Sequence, residues 1–176
     1  MNRIVLAFAA ILGAGAALAT LAVLGGCPGT KEGPTINSKM NSGDLAPSVS
    51  PVVSADILAR EPVANTATVK HILISWKDLA DAFQGHLDPR AENRTRADAE
   101  ALVRSLVKEL QDGGDFDTVM QKNSEDTGSA KSGRAFTVTP DAQLVIEFRQ
   151  LSLRLRPGEV GVCQSDFGFH IIKRIS

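Results

Sequence analysis

Four side chains in this sequence could do chemistry and lie in runs that read as ordered. His71 sits in the apolar run TVKHILISW, His170 in DFGFHIIKR, Asp126 in the polar run SEDTGSAKSGR, and Cys163 in VGVCQS. An imidazole can hold or pass a proton near neutral pH, and a carboxylate beside it biases which ring nitrogen keeps the hydrogen. Two histidines, an aspartate and a thiol are also the raw material of a metal site. Each residue has a plainer reading. A histidine on an apolar strand is commonly a satisfied core residue, an aspartate in Ser-Glu-Asp-Thr-Gly is a turn former, and a cysteine among apolar neighbours packs as a small hydrophobe. The run Phe167-Gly168-Phe169-His170 is what argues for a site. A strand selected for pairing alone would be built from plain aliphatics.

The elements that must position these groups can be read from periodicity. In Thr68–Trp76, Val69, His71, Leu73 and Ser75 point one way, and Lys70, Ile72, Ile74 and Trp76 the other. A strand apolar on parts of both faces is central, which makes His71 interior. The next ordered run, TRADAEALVRSLVKELQDGG, repeats Ala99, Leu102, Val103, Leu106, Val107 and Leu110 at helical spacing. Thr95 with Asp98 forms a capping box at its start, and Gly113-Gly114 stops it. A short helix follows with Asp115 as N-cap and Phe116, Val119 and Met120 buried. SEDTGSAKSGR reads as a polar loop, turning at Gly128 and Gly133. A third helix is expected through DAQLVIEFRQLSLRL, burying Leu144, Val145, Phe148 and Leu151, and ending at Pro157-Gly158. The strands EVGVCQS and FGFHIIKRI close the order strand, helix, helix, helix, strand, strand, an α+β pattern.

Composition narrows the function classes. The chain of 176 residues has a formal net charge of -1 and a sequence pI near 6.3, so it carries no electrostatic footprint for nucleic acid or for an acidic membrane surface. One positive charge precedes the run IVLAFAAILGAGAALATLAVLGGC, the form of a secretory signal, although such a run is also long enough to anchor in a bilayer. Leu24 to Cys27, LGGC, resembles the bacterial lipobox, in which the cysteine becomes the lipidated first residue. Residues 1–26 are therefore expected to be a lipoprotein signal peptide, with Cys27 anchored and the body in the cell envelope. With Gly and Pro after Cys27, the outer membrane is the expected address in a cell with two membranes. Cys163 is then left without a disulfide partner. Residues 27–67, rich in Pro, Gly, Ser, Thr and Asn, read as a flexible tether, with the ordered domain at 68–176.

The landmarks HIL in the first strand, GGDF after the long helix, SEDTGSAKSG, AQLVIEF, RPGEVG and DFGFHIIKR occur in this order with compatible spacing. Together they resemble the parvulin family of peptidyl-prolyl cis-trans isomerases over Val69–Ile175. The resemblance implies a four-stranded sheet flanked by about four helices, with a short edge strand around Arg134–Val138. It places His71 and His170 side by side on neighbouring central strands as the family's paired histidines. Asp126 falls where the family has cysteine or aspartate, and Ser165 where a Thr or Ser bonds a histidine. Leu144 and Phe148 fall on the apolar proline pocket, Gly168 lets the backbone approach closely, and Phe167 and Phe169 flank the bound peptide or the core. The run Ser132-Gly133-Arg134-Ala135-Phe136 departs from the family's Gly-Gly-Asp-Leu-Gly, which alters the cleft wall.

The implied reaction is rotation about X-Pro bonds. The trans form is preferred by only about 0.5–1 kcal/mol, yet rotation must break amide resonance across a barrier of about 20 kcal/mol. No bond is made or broken, so the reading calls for no cofactor and no metal. A catalyst must bind the twisted amide better than either planar form. The expected partners are proline-containing unfolded or exported polypeptides, and the membrane through the N-terminal lipid, with no nucleic acid and a monomeric chain. Arg90, Arg94 and Arg96 are either a solvated charged loop or an attractor for an acidic residue ahead of the proline. The alternative function is a non-catalytic peptide-binding chaperone module with the same cleft.

Overall fold

β1 (Ala67–Ile74) is the axis of the domain. In a computed structural model describing residues 49–176, it pairs antiparallel with β2 (Phe136–Val138) on one side and with β4 (Gly168–Arg174) on the other. β3 (Val160–Ser165) adds outside β4, giving one antiparallel sheet of order β2-β1-β4-β3. The two apolar faces expected of a central strand are both covered. Ile72 and Ile74 of β1 and Phe169 and Ile171 of β4 lie in one core with Val103 and Leu106, while Val69 and Ile172 lie in the other with Phe148, Leu151 and Leu155. A buried aliphatic side chain of this size contributes about 1.5–3 kcal/mol, so the sheet is held from both sides.

The first core is roofed by α2 (Arg96–Gln111) and α3 (Phe116–Asn123). Both start as their sequences dictate. The Thr95 side chain accepts from the Asp98 N–H while Asp98 returns to the Thr95 N–H, and Asp115 accepts from the Thr118 N–H. Ala99, Val103 and Leu106 of α2 are buried, whereas Leu102, Val107 and Leu110 only flank the core. A 3-10 helix, Lys77–Phe83, leads from β1 toward α2. The second core is covered by α1 (Ala55–Leu58) and α5 (Ile146–Ser152). With α4 (Thr127–Ser132), the described residues hold five α-helices and one 3-10 helix.

Three sequence expectations are corrected. The polar run after Ser124 is not all loop. Asp126 caps α4 by accepting from the Ser129 N–H, and Gly133, at φ 64°, closes it in the left-handed region. A six-residue polar helix has no apolar stripe to betray it, so only its caps were visible. The third helix is shorter than its periodicity suggested, because Thr139-Pro140 starts a turn and Val145 is still extended as N-cap. Finally, residues 49–66 are not tether. Ile57 is buried, the Ser54 N–H donates to the Val162 carbonyl, the Val162 N–H donates to Ser54 Oγ, and Arg60 makes a bidentate pair with Glu159. This strip packs across the open edge of β3 through scattered single contacts, a mode that leaves no periodic signature. The apolar N-terminal run, Cys27 and the tether up to residue 48 lie outside the described residues. Among the described residues no helix is long and apolar enough to cross a membrane.

Candidate active site

Alternation along β1 and β4 turns His71 and His170 to the same face of the sheet as Val69 and Ile172, beneath α5. The rings lie nearly parallel, 5.5 Å apart between centroids, with their Nδ1 atoms at 3.3 Å. Both are buried. His71 Nε2 lies 2.9 Å from Asp126 Oδ2, and Ser165 Oγ lies 2.8 Å from His170 Nε2. The local chain explains these placements. Asp126 is fixed by its role as N-cap of α4, Ser165 ends β3, and the Phe167 N–H donates to the Ser165 hydroxyl.

The network assigns every hydrogen when both rings are neutral. A carboxylate only accepts, so His71 Nε2 carries hydrogen and donates to Asp126, leaving His71 Nδ1 as an acceptor. His170 must then donate from Nδ1 to His71, and its Nε2 accepts from the Ser165 hydroxyl. The result is a one-directional chain from the Phe167 amide through Ser165, His170 and His71 to Asp126. Electrostatics follow the same geometry. Burial, reinforced by the neighbouring His71, pushes His170 down to about 3. The His71 ring at hydrogen-bond distance, aided by Ser129, holds the Asp126 carboxyl well below the usual carboxylate range.

Above this pair lies a cleft of about 270 Å³ lined by His71, Asp126, Phe136, Gln143, Leu144, Val145, Phe148 and His170. Phe148 is only 3% exposed and stands edge-on to His71 at 5.2 Å and to His170 at 5.5 Å. Phe136 stands edge-on to His71 at 5.3 Å, and the Arg134 guanidinium covers the Phe136 ring at 4.9 Å. The cleft is thus lined by aromatic and aliphatic side chains together with the polar His71, Asp126, Gln143 and His170.

Residues 56–175 match the PPIC-type PPIASE domain. The chain belongs to this family. Foldase protein PrsA of Staphylococcus aureus (strain Newman) is 34% identical over 104 residues, covering 58% of this chain and 30% of the relative. Foldase protein PrsA of Geobacillus kaustophilus (strain HTA426) is 27% identical over 108 residues, covering 61% of this chain and 38% of the relative. The chain therefore spans less than half the length of these curated relatives. Among solved structures, the solution structure of TbPIN1 is similar with a TM-score of 0.54 at 21% identity, over 64% of this chain and 98% of that one. Peptidyl-prolyl isomerase ESS1 from Candida albicans is similar with a TM-score of 0.53 at 20% identity, over 72% of this chain and 67% of that one. At these identities the likeness is one of fold.

Within this PPIC-type domain the structure brings together His71, Asp126, Leu144, Phe148 and His170 at one cleft, with Ser165 behind His170. Two other residues named from the sequence lie elsewhere. Phe169 is fully buried on the opposite face of β4, against Trp76, so of its two expected roles it takes the core one. Phe167 caps the β3–β4 turn, edge-on to Phe83, and is not among the residues lining the cleft. Gly168 is required by close approach: its φ is +130°, and a Cβ there would collide with the Ile74 carbonyl. Cys163 is buried on β3 opposite His170, and burial raises its thiol far above the ordinary range. Among the described residues no cluster of three or more His, Cys, Asp or Glu is arranged to hold a metal ion.

Sequence reasoning missed three contributors. Gln143 lines the cleft one residue before Leu144, and Ser129 Oγ lies 3.4 Å from His71 Nε2. Phe136 was visible only as the end of the divergent run, and its ring stands against His71 as an aromatic wall of the cleft. The arginines read either as a solvated charged loop or as an attractor for an acidic residue are engaged within the fold, Arg96 donating to Gln164 Oε1 and lying over the Trp76 ring. Arg94 bonds Glu125 and the Ser75 carbonyl, and Arg90 bonds Asp88 and the carbonyls of residues 122–124.

Proposed function

We propose that this chain is a peptidyl-prolyl cis-trans isomerase that accelerates rotation about X-Pro bonds in unfolded polypeptides. The observation that carries the reading is the cleft itself, where Phe136, Leu144 and Phe148 form an apolar surround beside two mutually hydrogen-bonded histidines. Membership of the PPIC-type PPIase family and the foldase names of the relatives support it.

The chemistry follows from the lining. The twisted amide of the transition state is less charge-separated than the planar forms, so the apolar surround of Phe136, Leu144 and Phe148 favours it. Rotation turns the carbonyl oxygen out of conjugation, and the Gln143 amide N–H is the donor in the lining that can meet it, because the His71 Nε2–H is committed to Asp126, a carboxylate that only accepts. The histidines act as fixed dipoles: the hydrogen-bond chain orients both rings, and burial keeps His170 neutral. Asp126 and Ser165 are positioning residues: Asp126 sets the tautomer of His71 and through it that of His170, whose Nε2 the Ser165 hydroxyl then holds. With Arg90 and Arg94 engaged internally, the reading needs no acidic residue ahead of the proline.

The LGGC run supports an exported, lipid-anchored form with the domain in the cell envelope, acting on exported chains. The test of the activity is a protease-coupled isomerisation assay on a panel of X-Pro peptides, comparing the parent with Phe148→Ala and Asp126→Ala at equal folded fraction. Acceleration by the parent that falls in both variants is the expected result. Peptide binding without acceleration would replace the enzyme with a peptide-binding chaperone module.

A further inference from the structure

The two edges of the sheet are treated differently. The β3 edge is clamped by Ser54, whose N–H donates to the Val162 carbonyl and whose Oγ accepts from the Val162 N–H. At the other edge, β2 pairs with β1 alone among the described residues. Thr68, directly opposite Thr137, donates its N–H to the Ser176 carbonyl and accepts from the Ile175 N–H, so its backbone faces β4. Alternation then makes Val69 with Phe136, and Ala67 with Val138, the bonded pairs of the β1–β2 ladder. It also turns the Thr137 N–H and C=O outward, and Thr137 is exposed. This open edge belongs to the strand whose Phe136 forms the wall of the cleft.

We propose that the outer edge of β2 is a second substrate subsite, where an extended segment of the same client polypeptide adds antiparallel to the sheet, paired through Thr137. The inference rests on the isomerase reading for the identity of the client, and on the register for the place. A chain added outside β2 lies two strand spacings, about 10 Å, from β1 and His71. Three extended residues cover that gap at about 3.3 Å each. A proline cannot sit opposite Thr137, because that position must donate an N–H. The proline therefore enters the cleft while residues about three positions away pair with the edge. A second copy of this chain is a poor occupant. β2 offers three residues, far short of the roughly 800 Å² per partner of a stable interface. A client already held by its proline meets the edge at high effective concentration and needs only a few bonds. Backbone pairing reads no side chains, which suits an isomerase acting on many unfolded sequences.

The test uses the full chain and two neutral peptides with the same X-Pro core, a blocked tetrapeptide and a version extended by about six residues on each side. The extended peptide should bind about tenfold more tightly, and its saturation should slow hydrogen exchange at the Thr137 amide by about the same factor. Thr137→Pro removes the outward N–H while keeping extended backbone. It should abolish the length advantage and leave tetrapeptide turnover unchanged. Should that variant not fold, single N-methylation along the extended peptide decides the matter: methylation at one position about three residues from the proline should remove the advantage. Equal affinity for both peptides, an advantage that survives Thr137→Pro and every methylation, or Thr137 protection that rises with protein concentration in the absence of peptide would overturn the proposal. Binding of the extended peptide with Thr137 protection but no turnover would sink the isomerase reading and leave the subsite standing. Turnover without length dependence would do the reverse.

Discussion

Acidification from pH 7.5 to 5 should destabilise this domain through His170, and the loss can be worked out in advance. His170 is buried and held to about 3 in the folded chain, against about 6.5 for an unfolded histidine. Because the folded value is depressed, the group adds stability that is complete above the unfolded value and is lost as pH falls toward the folded one. Between pH 6.5 and 5 only the unfolded state takes up the proton, at about 1.4 kcal/mol per unit, so about 2 kcal/mol is lost by pH 5. Asp126, also depressed, works in the same direction, but its contribution starts to fall only below the ordinary aspartate value of about 3.9, outside this window. Urea unfolding at pH 7.5, 6.5, 5.5 and 5 measures the slope, and His170→Gln, which cannot titrate, should flatten it by about the same 2 kcal/mol. A parent whose stability is level across this range, or a slope that persists in His170→Gln, would refute the placement of a neutral buried imidazole between His71 and Ser165.

Further expectations follow from the same geometry. Phe148→Ala removes a ring that is buried and also faces the cleft, so it should cost about 3–5 kcal/mol of stability and, at equal folded fraction, lower kcat/KM as well. Asp126→Ala should keep the fold, because the cap it supplies serves a short helix, and should lower turnover by no more than about a hundredfold as His71 loses its tautomer lock. Deleting the residues before Ala67 removes Ile57 and the Ser54 clamp and should cost about 2–4 kcal/mol in thermal or urea unfolding, whereas a chain starting at Val49 should melt like the parent. Cys27→Ser should release the chain from the membrane fraction or stall its processing, and unchanged fractionation would point to a conventional anchor.

How legible each part was depends on whether its stabilisation is periodic. β1, α2 and α3 are held by buried positions recurring at strand or helix spacing, and Thr95, Asp98 and Asp115 mark their starts in the sequence as they do in the structure. α4 and α1 have no such stripe. One is held by its caps and the other by Ile57 and its neighbours against the second core, so composition alone read the first as loop and the second as tether. The site divides the same way. His71 was placed inside the fold by the two-faced pattern of its strand, but nothing in spacing links positions 71, 126 and 170. That link came from the resemblance, and the register of β1 with β4 provides its physical cause. Phe169 was misdirected by proximity to His170, since adjacent strand residues point to opposite faces. Phe136 and Gln143 reach the cleft from segments that the resemblance placed there, but nothing in their own periodicity singles them out.

The most direct measurement of the central claim is exchange NMR on a proline-containing peptide at equilibrium, with the chain present at catalytic concentration. The uncatalysed interconversion takes tens of seconds or longer, so exchange cross-peaks between cis and trans resonances are absent without a catalyst. The account predicts that they appear with the parent chain and weaken with Asp126→Ala at equal folded fraction. Peptide resonances that shift on binding, with no cross-peaks at any concentration of the parent, would contradict it.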